Sequence, residues 1–290
     1  MFREPAESSQ MPDVRPIRLR TVLVPLFGAA LYYGVILAVT VFALVIFRES
    51  FYQYLKIIEL VSMLLVTPVM IVWIYISEKT GGKKLLKRPL TPMISLAGIT
   101  IALGLLGLTI LYFLFVEEAL SVFPVVRKSL EQYESMFEVG TLSSAEKIIF
   151  FISVTVMAPV SEELLFRGVI LHEFLSAVKP AVAVFLSSAI FALFHVQPIQ
   201  IGYAFLCGLV ISVVYVLSKS IYLTILLHAV FNFFGSAIHI LFPSLGKTGE
   251  YLSVLYMVSI ALSVIAVIYI KKRNREITVA EDLDASASEG

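Results

Sequence analysis

Long apolar stretches recur along the whole chain, and each is close to the 20 or so residues that a helix needs to cross a bilayer. Eight such stretches are predicted, at residues 21–47, 57–76, 93–116, 144–171, 181–196, 199–217, 221–241 and 251–270. The 290 residues are 59% hydrophobic and only 15% charged, which lies outside the range of soluble domains. The sequence therefore predicts an all-α, polytopic membrane protein, with the cell membrane as its expected location.

Lysine and arginine residues are distributed unevenly between the two sides of this predicted membrane domain. With eight spans both termini share one side, which collects fifteen of these cations, whereas the opposite side holds six. Cytoplasmic loops retain positive charge, so both termini are expected to be cytoplasmic. The formal net charge is +1 and no long basic run is present, which excludes nucleic acid as a partner.

The hydropathy pattern divides the chain into three parts. Residues 1–20 are predicted to be a cytoplasmic tail, residues 21–270 the membrane domain, and residues 271–290 a cytoplasmic tail whose acidic and small residues predict disorder. Between the third and fourth spans, apolar residues recur at helical spacing from Phe123 to Phe137, with charged residues between them. This pattern indicates an amphipathic helix on the outer membrane interface.

Two adjacent carboxylates interrupt the fourth apolar stretch. Glu162 and Glu163 lie in the middle of the run from Ile148 to Leu171, and Arg167 follows four residues after the second of them. A charged acid at the centre of a membrane helix costs roughly 2.5 kcal/mol or more, so such residues indicate function. Glu163 and Arg167 are i,i+4 neighbours and are predicted to form a supporting ion pair. Glu162 is rotated by about 100° and can face a different partner.

Two further polar clusters complete a set that could hydrolyse a bond inside the membrane. They are F-A-L-F-H, which ends at His195, and H-A-V-F-N, which runs from His228 to Asn232. A carboxylate at low dielectric, Glu162, can take a proton from water, and a histidine can orient that water. A second histidine with an adjacent amide can donate hydrogen bonds to the oxyanion formed on an attacked carbonyl.

The same side chains also suit metal-dependent hydrolysis. Glu162, His195 and His228 could bind zinc or another divalent ion, with Asn232 as a weak fourth ligand or a neighbour of the ligands. They come from three predicted helices and lack the local H-x-x-x-H spacing that fixes a zinc pair. The pattern therefore favours glutamate-activated water without an obligatory cofactor, and metal-dependent chemistry stays open.

Other intramembrane protease chemistries lack their residues. Aspartyl proteases need two membrane aspartates, whereas Asp13, Asp282 and Asp284 all lie in the predicted tails. The zinc motif H-E-x-x-H has only a near match from His172 to Ser176, which lacks the second histidine. Serine types built on G-x-S-G have no match.

The three motifs E-E-x-x-x-R, F-x-x-x-H and H-x-x-x-N, in this order on successive predicted membrane helices, resemble the CAAX prenyl protease 2 and bacteriocin-processing family, also called the abortive-infection family. The motif-bearing core covers about residues 144–241, roughly a third of the chain. The resemblance implies an eight-helix endopeptidase open toward the cytosolic leaflet. It implies that Glu162 and His195 act on the water and that His228 and Asn232 form the last part of the site. The implied substrate is a peptide or protein delivered at the membrane, with or without a lipid modification.

Two other classes of function use the same residues. In a proton-coupled transporter the acidic pair and the histidines would form a relay. In a membrane scaffold or immunity protein the fold would be kept without catalysis. Paired broken helices would favour the transporter and none is evident in the sequence, whereas a missing motif residue would favour the scaffold and all are present.

One expectation conflicts with a shared site. A fifth helix that starts after Pro180 places His195 about 22 Å along its axis, whereas His228 lies only about 10 Å into the seventh span. The two histidines can meet only if the turn from Val196 to Ile199 is sunk within the protein.

Overall fold

The computed structural model describes residues 19–79, 85–135, 142–242 and 247–288. Most of these residues are helical, and the connections between them include one antiparallel bridge, between Lys87 and Ser220. The α-helices are α1 (Leu19–Phe47), α2 (Leu55–Lys79), α3 (Pro92–Phe115), α4 (Pro124–Ser135), α5 (Ser144–Ile152), α6 (Ala158–Glu163), α7 (His172–Phe174), α8 (Pro180–Leu193), α9 (Pro198–Ser218), α10 (Ile221–Asn232), α11 (Ile238–Leu241) and α12 (Lys247–Ser288). A 3-10 segment (Arg48–Tyr54) and π-helical segments (Val116–Leu120, Ser153–Met157, Leu164–Leu171 and Phe233–Ala237) connect several of them.

All eight predicted spans coincide with helices or continuous helical runs in the described residues. The segments that are long and apolar enough to cross a membrane are Leu19–Lys79, Pro92–Leu120, Ser144–Phe174, Pro198–Ser218 and Thr248–Glu281. The first contains both α1 and α2, and the apolar segments Pro180–Leu193 and Ile221–Ala237 are shorter. The all-α, polytopic fold class is confirmed. The fifth predicted span is shorter than expected, because α8 ends at Leu193 and Val196 has a left-handed φ of 62°.

The outer surface of the helices is apolar, as a bilayer requires. Large aliphatic side chains such as Leu26 and Val45 of α1 and Ile265 of α12 are exposed. In a soluble protein such contiguous exposure would favour aggregation, whereas lipid chains solvate it at no cost. The exposed residues of α1 and α12 therefore indicate lipid-facing positions.

Glycines allow α3 and α12 to pack closely. A Cβ at Gly104 would overlap Ser263 and the Ser259 backbone, and a Cβ at Gly107 would overlap the backbone of Tyr256. Small residues at such crossings let membrane helices approach each other and gain packing energy. α12 is therefore held against α3, although it lies outside the motif-bearing core.

The predicted amphipathic helix is present as α4, and it packs over the turn between α8 and α9. The side chain of Gln197 in that turn donates to the Ser129 carbonyl at 2.9 Å, and the Tyr133 hydroxyl donates to the Tyr203 hydroxyl at 3.2 Å. Burial raises the pKa of Tyr133 above its ordinary value. The end of the predicted helix beyond residue 135 lies outside the described residues.

Residues 271–288, where composition predicts disorder, are helical, because α12 continues to Ser288. Side chains one turn apart on this extension contact the segment that precedes α3. Arg88 donates to Asn274 Oδ1, to Thr278 Oγ1 at 3.4 Å and to Glu281 Oε2 at 2.6 Å. Composition alone predicted a free tail because it does not register these tertiary contacts. Of the predicted N-terminal tail, residues 1–18 lie outside the described residues.

Candidate active site

The helical run Ser144–Phe174, which carries the first motif, alternates between α and π geometry. Ser143 starts it with a capping box, in which its hydroxyl accepts from the Glu146 N–H and the Glu146 carboxylate accepts from the Ser143 N–H. π segments lie on both sides of α6, which ends with Glu162 and Glu163. A π turn inserts an extra residue, changes the direction of the side chains that follow and is frequent at functional sites.

The first π segment leaves a carbonyl that Asn232 satisfies. The Ala158 N–H donates to Ser153 five residues earlier, so it does not serve the Val154 carbonyl. The next residue, Pro159, has no N–H to donate. Asn232 Nδ2 donates to the Val154 oxygen at 2.9 Å from α10. The third motif is therefore attached to the first through a backbone group that the helix itself leaves unpaired.

Glu163 and Arg167 form the ion pair that their spacing predicts, and both side chains are 0% exposed. Arg167 Nη1 donates to Glu163 Oε1 at 2.8 Å, and its Nη2 donates to the Gly208 carbonyl of α9 at 3.1 Å. Burying either charge alone would be very costly, so each requires the other. The pair also fixes α9 against the first motif.

Glu163 has a second partner that the sequence analysis missed. His228 Nδ1 lies 2.9 Å from the Glu163 Oε1 that Arg167 also contacts. A carboxylate paired with a guanidinium accepts hydrogen bonds, so Nδ1 is the donor. The other ring nitrogen, Nε2, then points toward Glu162, with 3.9 Å between Nε2 and Oε2. The sequence holds no local signal for this contact, because 65 residues separate its partners.

His195 lies just after α8, where the last turn has 3-10-type backbone hydrogen bonds. Its backbone N–H donates to Ala192, three residues earlier, so the Phe191 carbonyl is left for its side chain. His195 Nδ1 donates to that carbonyl at 2.9 Å, because a carbonyl can only accept. Nε2 is therefore the ring nitrogen of His195 that remains available to bind water or substrate.

The Phe191 ring joins the three motifs. Its centroid lies 4.8 Å from the His195 ring and 6.0 Å from the His228 ring, and both contacts are edge-on. The guanidinium carbon of Arg167 lies 4.9 Å from the same ring. Phe191 lies one turn before His195 on α8, so its contact with His228 brings this end of α8 close to α10. The turn itself is not sunk as expected, because Val196 is 79% exposed, although Ile199 at its end is buried.

A comparison with protein-family models matches residues 144–234 to the type II CAAX prenyl endopeptidase Rce1-like family. Residues 144–234 are thus similar to this family, and they are named the Rce1-like segment after that similarity. This match confirms the predicted resemblance over about a third of the chain, from the start of α5 into the π segment after α10. It supports a CAAX-type intramembrane endopeptidase, and the apolar helices agree with an integral membrane protein. Comparisons with curated proteins and with solved structures gave no match.

Helix α1 lies outside the Rce1-like segment but contacts the neighbours of two motif residues. The Tyr32 hydroxyl lies 3.1 Å from the hydroxyl of Ser161, the residue that directly precedes Glu162. The Tyr33 ring stacks on the ring of Phe194, the residue that directly precedes His195, with 4.5 Å between the ring centroids. α1 therefore packs across both motifs, and no motif in the sequence marks these tyrosines.

The predicted metal ligands of the Rce1-like segment do not form a preorganised metal site. Among the described residues no group of three or more His, Cys, Asp or Glu side chains is placed to hold a metal ion. Metal binding by Glu162, His195 and His228 therefore stays an alternative prediction.

Proposed function

We propose that the Rce1-like segment hydrolyses a peptide bond with a water molecule activated by Glu162. The observation that carries this proposal is the orientation of His228, whose Nδ1 is fixed on Glu163 so that Nε2 faces Glu162 across 3.9 Å. This gap is too long for a direct hydrogen bond, and one water can lie about 2.8 Å from both atoms. The two atoms thus define a place for the nucleophile.

The environment separates the two adjacent glutamates into different roles. Glu163 is fully buried and shares its Oε1 between Arg167 and His228. Glu162 remains 23% exposed, and Arg167 makes no hydrogen bond to it. A general base needs a free carboxylate within reach of the proton that it removes. Glu162 meets this requirement, and Glu163 is a positioning residue for His228.

In the proposed reaction Glu162 takes a proton from water while the water oxygen attacks the peptide carbonyl. His195 orients the water through Nε2, since its Nδ1 is held by the Phe191 carbonyl. When the tetrahedral intermediate collapses, the carbon–nitrogen bond breaks and Glu162 returns the proton to the leaving amine. Each proton is thereby transferred within the site, as general acid–base catalysis requires.

His228 and Asn232 are proposed to stabilise the oxyanion. His228 Nε2 can donate only when it carries a hydrogen while Nδ1 donates to Glu163, which is the imidazolium form. Asn232 Nδ2 uses one hydrogen for the Val154 carbonyl and keeps a second one. Two donors aimed at the developing negative charge would account for the pairing of these residues on one face of α10.

The proposed substrate is a peptide segment of a protein that reaches the site from the bilayer, with or without a lipid modification. The proposed reaction needs no cofactor. The metal-dependent alternative would require Glu162, His195 and His228 to move together around zinc or another divalent ion. Its test is given in the Discussion.

The deciding experiment compares cleavage by purified wild-type protein and by Glu162→Gln in lipid nanodiscs. Membrane proteins from cells that express Glu162→Gln supply the uncleaved substrates. New N- and C-termini that appear after incubation with each purified protein are identified by mass spectrometry. Glu118→Gln, an exposed carboxylate on the π segment after α3, is the matched control. Termini that depend on Glu162 and persist in the control support the proposal. An intact substrate pool with wild-type protein would instead favour a transporter or a scaffold.

A further inference from the structure

A cavity of about 210 Å³ lies at the end of α3 remote from α4, away from Glu162 and the histidines. The segment before α3, the turn between α9 and α10, and α12 enclose it. Its polar lining includes Arg88, Ser220 and Arg273, and its apolar lining includes Ile94 and Ile270. No step of the proposed hydrolysis uses this space.

The charge of the cavity is positive and only partly neutralised. Arg88 binds Asn274 and the Glu281 carboxylate. Arg273 lines the same space, and its side chain makes no hydrogen bond or ion pair with the side chains that the structure describes, which end at Glu281. Lys219 lies close by, with its Nζ 3.4 Å from the Thr278 hydroxyl. Arg88, Lys219 and Arg273 therefore bring cations from three different elements to this region, and Glu281 pairs with Arg88.

Glu281 shows what kind of group the cavity accepts. Its carboxylate lies 2.6 Å from Arg88 Nη2, although its side chain is 59% exposed. An exposed ion pair of this kind is weak and exchangeable. Glu281 therefore acts as a tethered anion at the rim, which an external anion with more charge can replace.

The position of the cavity along α12 indicates an amphipathic ligand. The apolar part of α12 ends at Ile270, and Lys271, Lys272 and Arg273 follow directly. Such a change from apolar to basic residues marks the membrane surface, where basic pockets between helices bind anionic headgroups. Ile94 and Ile270 line the apolar side, next to the lipid-facing surface of α3 and α12.

We propose that this cavity binds the phosphate group of an anionic membrane lipid, with Arg273 as the free cation and Arg88 as the cation for which Glu281 competes. The lipid chains would follow the groove between α3 and α12. The chemistry that the cavity recognises is a negatively charged phosphate group. A lipid headgroup supplies it as an ester, and a free phosphate ion is the alternative ligand.

The test measures binding of phosphatidylglycerol to the purified full-length protein in neutral detergent micelles, by native mass spectrometry and by titration with a fluorescent analogue. Because each charge-assisted contact typically changes affinity by about tenfold or more, Arg273→Gln should weaken binding by about that factor. Glu281→Gln removes the competing carboxylate and should strengthen binding several-fold. Lys128→Gln, a cation on α4, should leave it unchanged.

Inorganic phosphate distinguishes the two sources. The ligand is an anionic lipid if 10 mM phosphate leaves phosphatidylglycerol binding unchanged and if phosphatidylcholine binds the wild-type protein only weakly. Equal affinity for inorganic phosphate and for the lipid would overturn the lipid assignment. Unchanged binding in both Arg273→Gln and Glu281→Gln would overturn the site itself. Glu281→Gln alters only an exposed side chain, so it keeps the test valid even if Arg273→Gln fails to fold.

Discussion

Glu163 accepts a hydrogen bond from His228 at 2.9 Å, although 65 residues separate the two in sequence. The same carboxylate oxygen accepts from Arg167 at 2.8 Å. A single buried anion therefore neutralises a cation and sets the direction of an imidazole. Through this contact Glu163 orients the His228 ring so that its Nε2 faces the Glu162 carboxylate at 3.9 Å.

The first prediction separates the two glutamates by stability. Glu163→Gln should destabilise the fold by about 3–5 kcal/mol, because it leaves Arg167 as an uncompensated buried charge. Glu162→Gln should leave stability within about 0.5 kcal/mol, since Glu162 is partly exposed and not held by Arg167. Unfolding in a graded denaturant, followed in micelles, measures both. Equal destabilisation by the two changes would contradict the division of roles.

A second prediction concerns positioning rather than stability. Glu163→Gln combined with Arg167→Met removes both buried charges and should recover much of the stability that Glu163→Gln loses. Activity should not recover, because His228 Nδ1 still lacks its carboxylate partner. The measurement is kcat and KM for one peptide substrate at matched folded fraction, with the loss expected in kcat. Recovered kcat in the double variant would show that Glu163 serves only to neutralise Arg167.

Local features of this site could be predicted from the sequence. The Glu163–Arg167 pair follows from i,i+4 spacing on one helix, and the helical segments follow from apolar length because a bilayer leaves few alternatives. Both inferences rest on neighbours in the chain. The three ordered motifs then indicated the family that matches residues 144–234.

Contacts between helices could not be predicted in the same way. The contacts of His228 with Glu163 and of Asn232 with Val154 depend on how α10 is rotated against α6. π segments change that rotation, and neither hydropathy nor spacing marks where they begin. Helix length alone likewise placed His195 and His228 at different depths, and it could not predict that the Phe191 ring of α8 contacts the His228 ring.

The third prediction tests the need for a metal. The described residues contain no preorganised group of three ligands, and His228 Nδ1 is occupied by Glu163. Enzyme treated with a chelator and shown by elemental analysis to lack stoichiometric metal should retain most of its activity. Activity that disappears on chelation and returns specifically with zinc would make Glu162, His195 and His228 ligands instead.

The fourth prediction concerns orientation. The native Cys207 is buried, so Cys207→Ser gives a background in which single cysteines can be introduced. Positions near Lys83 and Arg273 should be labelled by an impermeant thiol reagent only from the cytosol, and positions near Lys128 only from outside. Fifteen cations against six predict this arrangement. Labelling of Arg273 and Lys128 positions from the same side would show that a span is miscounted.

The last prediction uses the carbonyl that Asn232 satisfies. Asn232→Ala should cost about 1–3 kcal/mol of stability, because the Val154 oxygen loses its donor, and about 10²- to 10³-fold in kcat if the amide also serves the oxyanion. Pro159→Ala supplies an N–H five residues after Val154, where a π-type bond could form. The double variant should therefore regain stability but not kcat. If Pro159→Ala restores both, Asn232 acts only by holding α10 against the first motif, and the oxyanion role belongs to another donor.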